Sequence, residues 1–375
     1  MADDKKPDDP GLIEIMTKES VKYTLGGAGA VGANALVSAA AANIAYAEAA
    51  SLTVSRGLNM PPVKNQHYVP QFHLKGFSTD SKSACVFDKV TKKSFKTGVA
   101  NIATEQHFYD LPPEFTNRGD PQAVETVLSI FENKYAIAIR DLLDEVKQKD
   151  GFTPGPSERN RTIAHFLVMQ YCRTREFRDT FTYAIRELSS AVAKKHEFAQ
   201  RYKAERGEVI KSENPIIPIP PGITPLEHAR IMFDQPLIER IMFILFQHIW
   251  LIADNQTPQP FFTSDAPVMR QPHYNHPVYG GAGFGSKGVE ILLPLSSRFL
   301  LVLLERTYFT PGLKETDGAV MHLKPEEVTY YNGFQVWESF RQIYCQEDKF
   351  DLAKDLVERY PEICDLEHSR ISIMG

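Results

Sequence analysis

Cysteine is scarce in this chain. Its 375 residues hold four, Cys85, Cys172, Cys345 and Cys364, and no two form a C-x-x-C pair. That spacing argues against a zinc knuckle, a dithiol redox motif and a disulfide-stapled fold, and for buried, reduced thiols in a cytoplasmic protein. Excess positive charge is lacking as well. The formal net charge is −5, the wrong sign for a general polyanion binder. No internal repeat is visible, and the G-x-S-x-G and H-E-x-x-H signatures of esterases and zinc proteases do not occur.

The N-terminal 60 residues lack strong aliphatics where they would matter most. Between Lys22 and Glu48 lie 25 residues without a charge, long enough to span a bilayer, but 14 of them are Gly or Ala. Small side chains gain little from lipid, so insertion is weakly driven. The acidic start MADDKKPDDPG also lacks the basic opening of a signal peptide. Residues 1–60 therefore read as an Ala/Gly-rich appendage, with two uses for residues 23–47. One is loose self-packing. The other is contact with a membrane or a second copy, for which the small residues four apart (Gly29 and Ala33, Ala35 and Ala39) are suited.

The rest is ordinary globular material. The chain is 43% apolar and 24% charged, enough to bury a sizeable core, and residues 61–375 are expected to form a single domain. Its opening segment, QHYVPQFHLKGFS at 66–78, predicts one or two helical turns, with Pro70 at the start and Gly76 as a left-handed stop. CVFD and SFKT predict a hairpin, and HFYD at 107–110 a third strand. Residues 120–150 carry a helical stripe (Val124, Val127, Leu128, Phe131, Tyr135, Ala138, Leu142, Val146) behind an Asp120 cap. A second helix, or two in line, covers 157–206. It carries 11 Lys/Arg against 6 Asp/Glu. This local excess of five positive charges leaves the remainder of the chain more acidic still.

Beyond the Pro-rich stretch 212–225, a capping box at Thr224–Glu227 opens a short helix, and another follows at about 236–247. IWLIAD, PFFTSDAPVM, VEILLPL and RFLLVLLE then read as four strands, the first pair and the last pair each joined by a short turn. Two further helices are predicted, one from Pro325 and one over about 348–359. The expected class is α+β: a mostly antiparallel sheet at about 248–306, packed with the long helices of 120–206 and closed on one side by the N-terminal hairpin.

Several of these stretches resemble one known family in their order: HYVPQ, the hairpin, NIATEQHFYD, the helix with MQYCRTREFR, FFTSDAPV, ILLPLSSRFLLVL and the helix holding Asn332. The family is the "domain of unknown function 4238", and the resemblance covers about residues 64–347. It implies an architecture and a place to look for a site, without an activity. His73 and Gly76 depart from the residues the family pattern implies at those positions.

Polar residues in apolar settings nominate the site. His67 and Gln71, one turn apart, suit placement of a substrate or water, or else bonds to the hairpin backbone. Gln170 lies in the buried stripe of its helix, and Arg173 follows on one edge. Ser264 and Asp265 end an apolar strand, where a carboxylate serves as a base, a metal ligand or a turn-closing acceptor. Glu125 and Glu132, seven apart, are placed to face Arg159 and Arg173, and Glu105 is a further carboxylate. An E-x-K nuclease pairing fails, since Glu290 is followed by Ile291 and Leu292. His273 and His276 have two-ligand spacing without a third ligand, and GGAGFGSKG is a mobile-loop sequence and no P-loop.

Two functions fit. The first is a nuclease-like hydrolase of an anionic substrate, with catalytic His67, Gln71 and Asp265, substrate-binding Gln170, Arg173 and Ser264, and a divalent metal as a candidate cofactor on Asp265 or His67. The second is a non-enzymatic interaction or scaffold protein in which the same groups form an internal network.

Overall fold

The computed structural model describes residues 63–111, 121–206, 224–274, 283–313 and 316–366. The Ala/Gly-rich residues 23–47, the Asp120 cap, His276 and most of the Pro-rich stretch lie outside these. The class is α+β, and nine α-helices are found among the described residues.

The centre is a five-stranded sheet built from β5 (Ile249–Asp254), β7 (Met269–Pro272), β8 (Val289–Pro294), β9 (Phe299–Leu304) and β10 (Val320–His322), in the order β10-β5-β9-β8-β7. All neighbours are antiparallel except β10 and β5. Its middle strands are buried along their whole length, and the reason is visible in the alternation of their side chains. Trp250, Ile252, Ile291, Leu293, Leu301 and Leu303 share one cluster with helices α2 (Ala123–Lys149), α3 (Glu158–Cys172), α5 (Pro225–Met232) and α6 (Gln235–Leu245). Leu251, Ala253, Leu292, Leu300 and Val302 share another with Val328 and Phe334 of α8 (Pro325–Glu338). A sheet covered on both faces needs continuous apolar strands, as FLLVLL provides.

A second sheet holds β2 (Ser83–Asp88), β3 (Lys93–Gly98), β6 (Thr263–Ser264) and β11 (Gln342–Cys345), in the order β3-β2-β11-β6, all antiparallel. Val336 of α8 packs on this side with α9 (Asp351–Arg359), so α8 lies between the two sheets. A two-stranded ribbon pairs β1 (Asn65–His67) with β4 (Thr104–Gln106).

Several expectations are corrected. PFFTSDAPVM is not one strand. It contributes two residues to β6 and one to β7, in different sheets, and Pro267 lies between them. The third N-terminal strand is Thr104–Gln106, while His107 takes positive φ and HFYD turns away. Of the two readings for 157–206, the one with two helices holds: α3 ends at Cys172 and α4 (Arg175–Glu205) starts three residues on. Gly76 ends α1 (Gln71–Lys75) in right-handed geometry. Glycine is needed there for closeness: a Cβ would meet Leu295 O at 3.0 Å and His73 O at 3.1 Å.

Candidate functional site

The opening segment is tied to helix α3 by two side chains that reach its main chain. Arg173, 1% exposed, donates through Nη2 to His67 O at 2.5 Å and through Nη1 to Glu132 Oε1 at 2.9 Å. Gln170 Nε2 donates to Tyr68 O at 3.0 Å. The Tyr109 hydroxyl donates back to Arg173 O at 2.6 Å, and Gln66 accepts from Tyr109 N at 2.6 Å. The predicted Glu132–Arg173 pairing is present, whereas Arg159 pairs with Glu145 and not with Glu125. Four buried atoms here, His67 Nε2, Gln170 Oε1, Arg173 Nε and Glu125 Oε2, have no hydrogen-bond partner among the described residues. Burial pushes the His67 imidazole down and the Glu125 carboxyl up to about 7.

The TSD segment is fastened elsewhere, to the C-terminal part of the chain. Asp265 accepts three main-chain bonds, from Phe340 N (2.9 Å), Arg341 N (2.8 Å) and Gln342 N (2.8 Å). Burial pushes its carboxyl up to about 6, against the pull of these donors and of the Lys89 ammonium. Ser264 Oγ accepts from Ala266 N and from Gln335 Nε2. One turn back on α8, Asn332 accepts from Phe262 N and donates to Pro260 O. Helical i, i+3 spacing thus clamps residues 260–266 along their length. Thr263 meets buried His73, whose imidazole burial drives to about 3.

The six predicted residues therefore fall into two groups: His67, Gln170 and Arg173 on one side, Ser264 and Asp265 on the other. Gln71 is half-buried and its side chain makes no hydrogen bond among the described residues. Tyr68 stands between the groups. Its phenol is pushed up by burial and then by the Asp265 charge, and it also feels Arg175, Glu105 and Tyr109.

Beside the end of α3 lies a residue that sequence reasoning missed. Arg270 Nη2 donates to the Tyr171 hydroxyl at 2.7 Å, and its guanidinium lies 4.5 Å from the Tyr171 ring centre and 5.3 Å from that of Phe284. Tyr171 is the neighbour of Gln170, and Arg270 is five residues beyond Asp265. No carboxylate pairs with Arg270 among the described residues. A signal existed: between Asp265 and Glu290 the sequence has no acidic residue, so this arginine has no local counter-ion.

A groove of about 250 Å³ lies beside α1 and α2, lined by Phe72, Ile139, Leu143 and Leu295 among others, and none of the six predicted residues borders it. His273 Nε2 is 2.7 Å from buried Glu290, which also accepts from Tyr331. No group of three His, Cys, Asp or Glu among the described residues is placed to hold a metal ion. Gly283 to Gly288 does satisfy G-x-G-x-x-G to the letter, yet β8 follows it, whereas a dinucleotide fingerprint opens a helix. No helix of the described residues is long and apolar enough to cross a membrane.

The fold and the junction define an α+β domain in which HYVPQ, the end of α3, the TSD segment and α8 are fastened together. The chain belongs to the family of proteins of unknown function called DUF4238, whose family model matches residues 65–349. No curated protein and no solved structure matches it.

Proposed function

We propose that this chain binds an anionic substrate at Arg270, beside the rings of Tyr171 and Phe284, and that it is a nuclease-like hydrolase acting there in the cytoplasm. The observation that carries this reading is Arg270, a half-buried guanidinium on an aromatic ring with no carboxylate partner among the described residues. A half-buried guanidinium fork with spare N–H donors suits phosphate or carboxylate oxygens. Burial lowers the His67 imidazole and so favours its neutral form, and its Nε2 has no partner among the described residues, which makes it the candidate base. Gln71, whose amide has no partner among the described residues, orients the substrate. Gln170, Arg173, Ser264 and Asp265 shape the site by holding its main chain. The test is hydrolysis of a generic phosphodiester and of single-stranded DNA and RNA by wild type and His67→Ala. Turnover by wild type that the variant loses, with the fold retained, supports the reading. Absence of wild-type turnover on every substrate removes the catalytic part.

A second reading, an interaction or scaffold protein, is favoured by one observation: both Asp265 oxygens are occupied by main-chain N–H groups. In that case Asp265→Ala and His67→Ala lower the melting temperature and alter binding of a partner, and no turnover exists to lose. Contact of residues 23–47 with a membrane or a second copy belongs to this reading, as does the treatment of residues 61–375 as one unit.

A further inference from the structure

Cys85 and Cys345 face each other directly across the β2–β11 pairing. Both belong to one apolar cluster, with Phe87 and Ile343, so both side chains lie on the same face of the sheet. Lys89 N donates to Arg341 O at 3.0 Å four positions along the same ladder. Alternation along an antiparallel pair then makes Cys85 and Cys345 a hydrogen-bonded pair, with Cα atoms about 5.5 Å apart. This is the common Cα separation of disulfides, at about 5.5–6 Å. The Cβ atoms of such a pair need to close by roughly 1 Å, which leaves the resulting bond open to reduction. Both thiols are free in the structure. Cys345 is fully buried and Cys85 is 9% exposed, so Cys85 is where a small reagent would arrive.

We propose that Cys85 and Cys345 are a reversible redox pair, converted to a cross-strand disulfide by a low-molecular-weight disulfide such as oxidised glutathione. The Cys85 thiolate attacks the reagent, its S–S bond breaks, and one small thiol leaves while a mixed disulfide forms. The Cys345 thiolate then attacks the Cys85 sulfur and expels the second small thiol. Two protein thiols lose two protons and two electrons, and the reagent takes up both as it becomes two thiols. The product joins the N-terminal hairpin covalently to β11, whose first residue, Gln342, is one of the three held by Asp265. Cys364 borders the same cluster but has no cysteine opposite it, and Cys172 is buried on α3, so the chain contains its own controls.

The full chain is titrated with oxidised glutathione, quenched with acid, alkylated and mapped by peptide mass without reduction. The expected result is a single internal cross-link between Cys85 and Cys345 that reduced glutathione reverses, with Cys172 alkylated as a free thiol after unfolding. In Cys345→Ala, Cys85 retains one glutathione instead, and if this variant does not fold, the wild-type map decides. The proposal is overturned if Cys85 and Cys345 both remain free once Cys364 is fully modified, or if the cross-link forms only in denaturant.

Discussion

Replacing Glu125 by Gln isolates the energy of one buried carboxyl. Glu125 lies on α2, seven residues before the Glu132 that pairs with Arg173, and its Oε2 has no partner among the described residues. Burial raises its carboxyl from 4.5 to about 7, with Arg173 pulling the other way. Between those two values the unfolded chain has released this proton and the folded chain still holds it. Stability therefore falls as pH rises through that window. At about 1.4 kcal/mol per pH unit the full effect is about 3 kcal/mol, reached above pH 7. Glutamine cannot titrate. Below the window the variant and wild type differ only by the fixed cost of exchanging an acid for an amide. Above it, Glu125→Gln gains up to about 3 kcal/mol on wild type. Urea unfolding of both proteins from pH 4.5 to 8 measures the difference directly. A difference that does not change with pH refutes the assignment of a raised carboxyl at this position.

Other outcomes follow from the braces. Arg173→Ala leaves Glu132 and His67 O without their donor and costs about 3–5 kcal/mol, the usual penalty for halving a buried ion pair, seen as a lower denaturation midpoint. Asp265→Ala removes the acceptor of three N–H groups, at about 1–3 kcal/mol for each group left unpaired. Hydrogen exchange at residues 340–342 quickens in this variant, and unchanged exchange there contradicts the clamp. Gly76→Ala forces a Cβ against Leu295 O and destabilises by about 1–3 kcal/mol, which a shift in melting temperature reports.

Much of the fold was legible because burial leaves a periodic trace. The stripe from Val124 to Val146 became α2, and VEILLP and FLLVLL became strands covered on both faces. Where two sheets share one stretch of chain, periodicity fails. PFFTSDAPVM reads as a single strand although its residues go to different sheets, and only the distant partners β11 and β8 reveal the division. The candidate site was less legible than the fold. Polar residues at apolar positions singled out Gln170, Arg173 and Asp265 correctly as unusual, since all are buried with specific partners. Those partners are mainly carbonyl and N–H groups of remote segments, and such groups carry no sequence signature. Arg270 escaped because its partners are the rings of Tyr171 and Phe284, far off in one direction and near in the other.

An anion site at Arg270 is measured most directly by binding. Wild type and Arg270→Gln are compared by thermal shift against inorganic phosphate, a nucleoside monophosphate and a short single-stranded oligonucleotide. Because a ligand of the folded state raises the melting temperature by mass action, wild type is predicted to rise with at least one of these while Arg270→Gln does not. Equal shifts in both proteins, or no shift in wild type with any of the three, contradict the account.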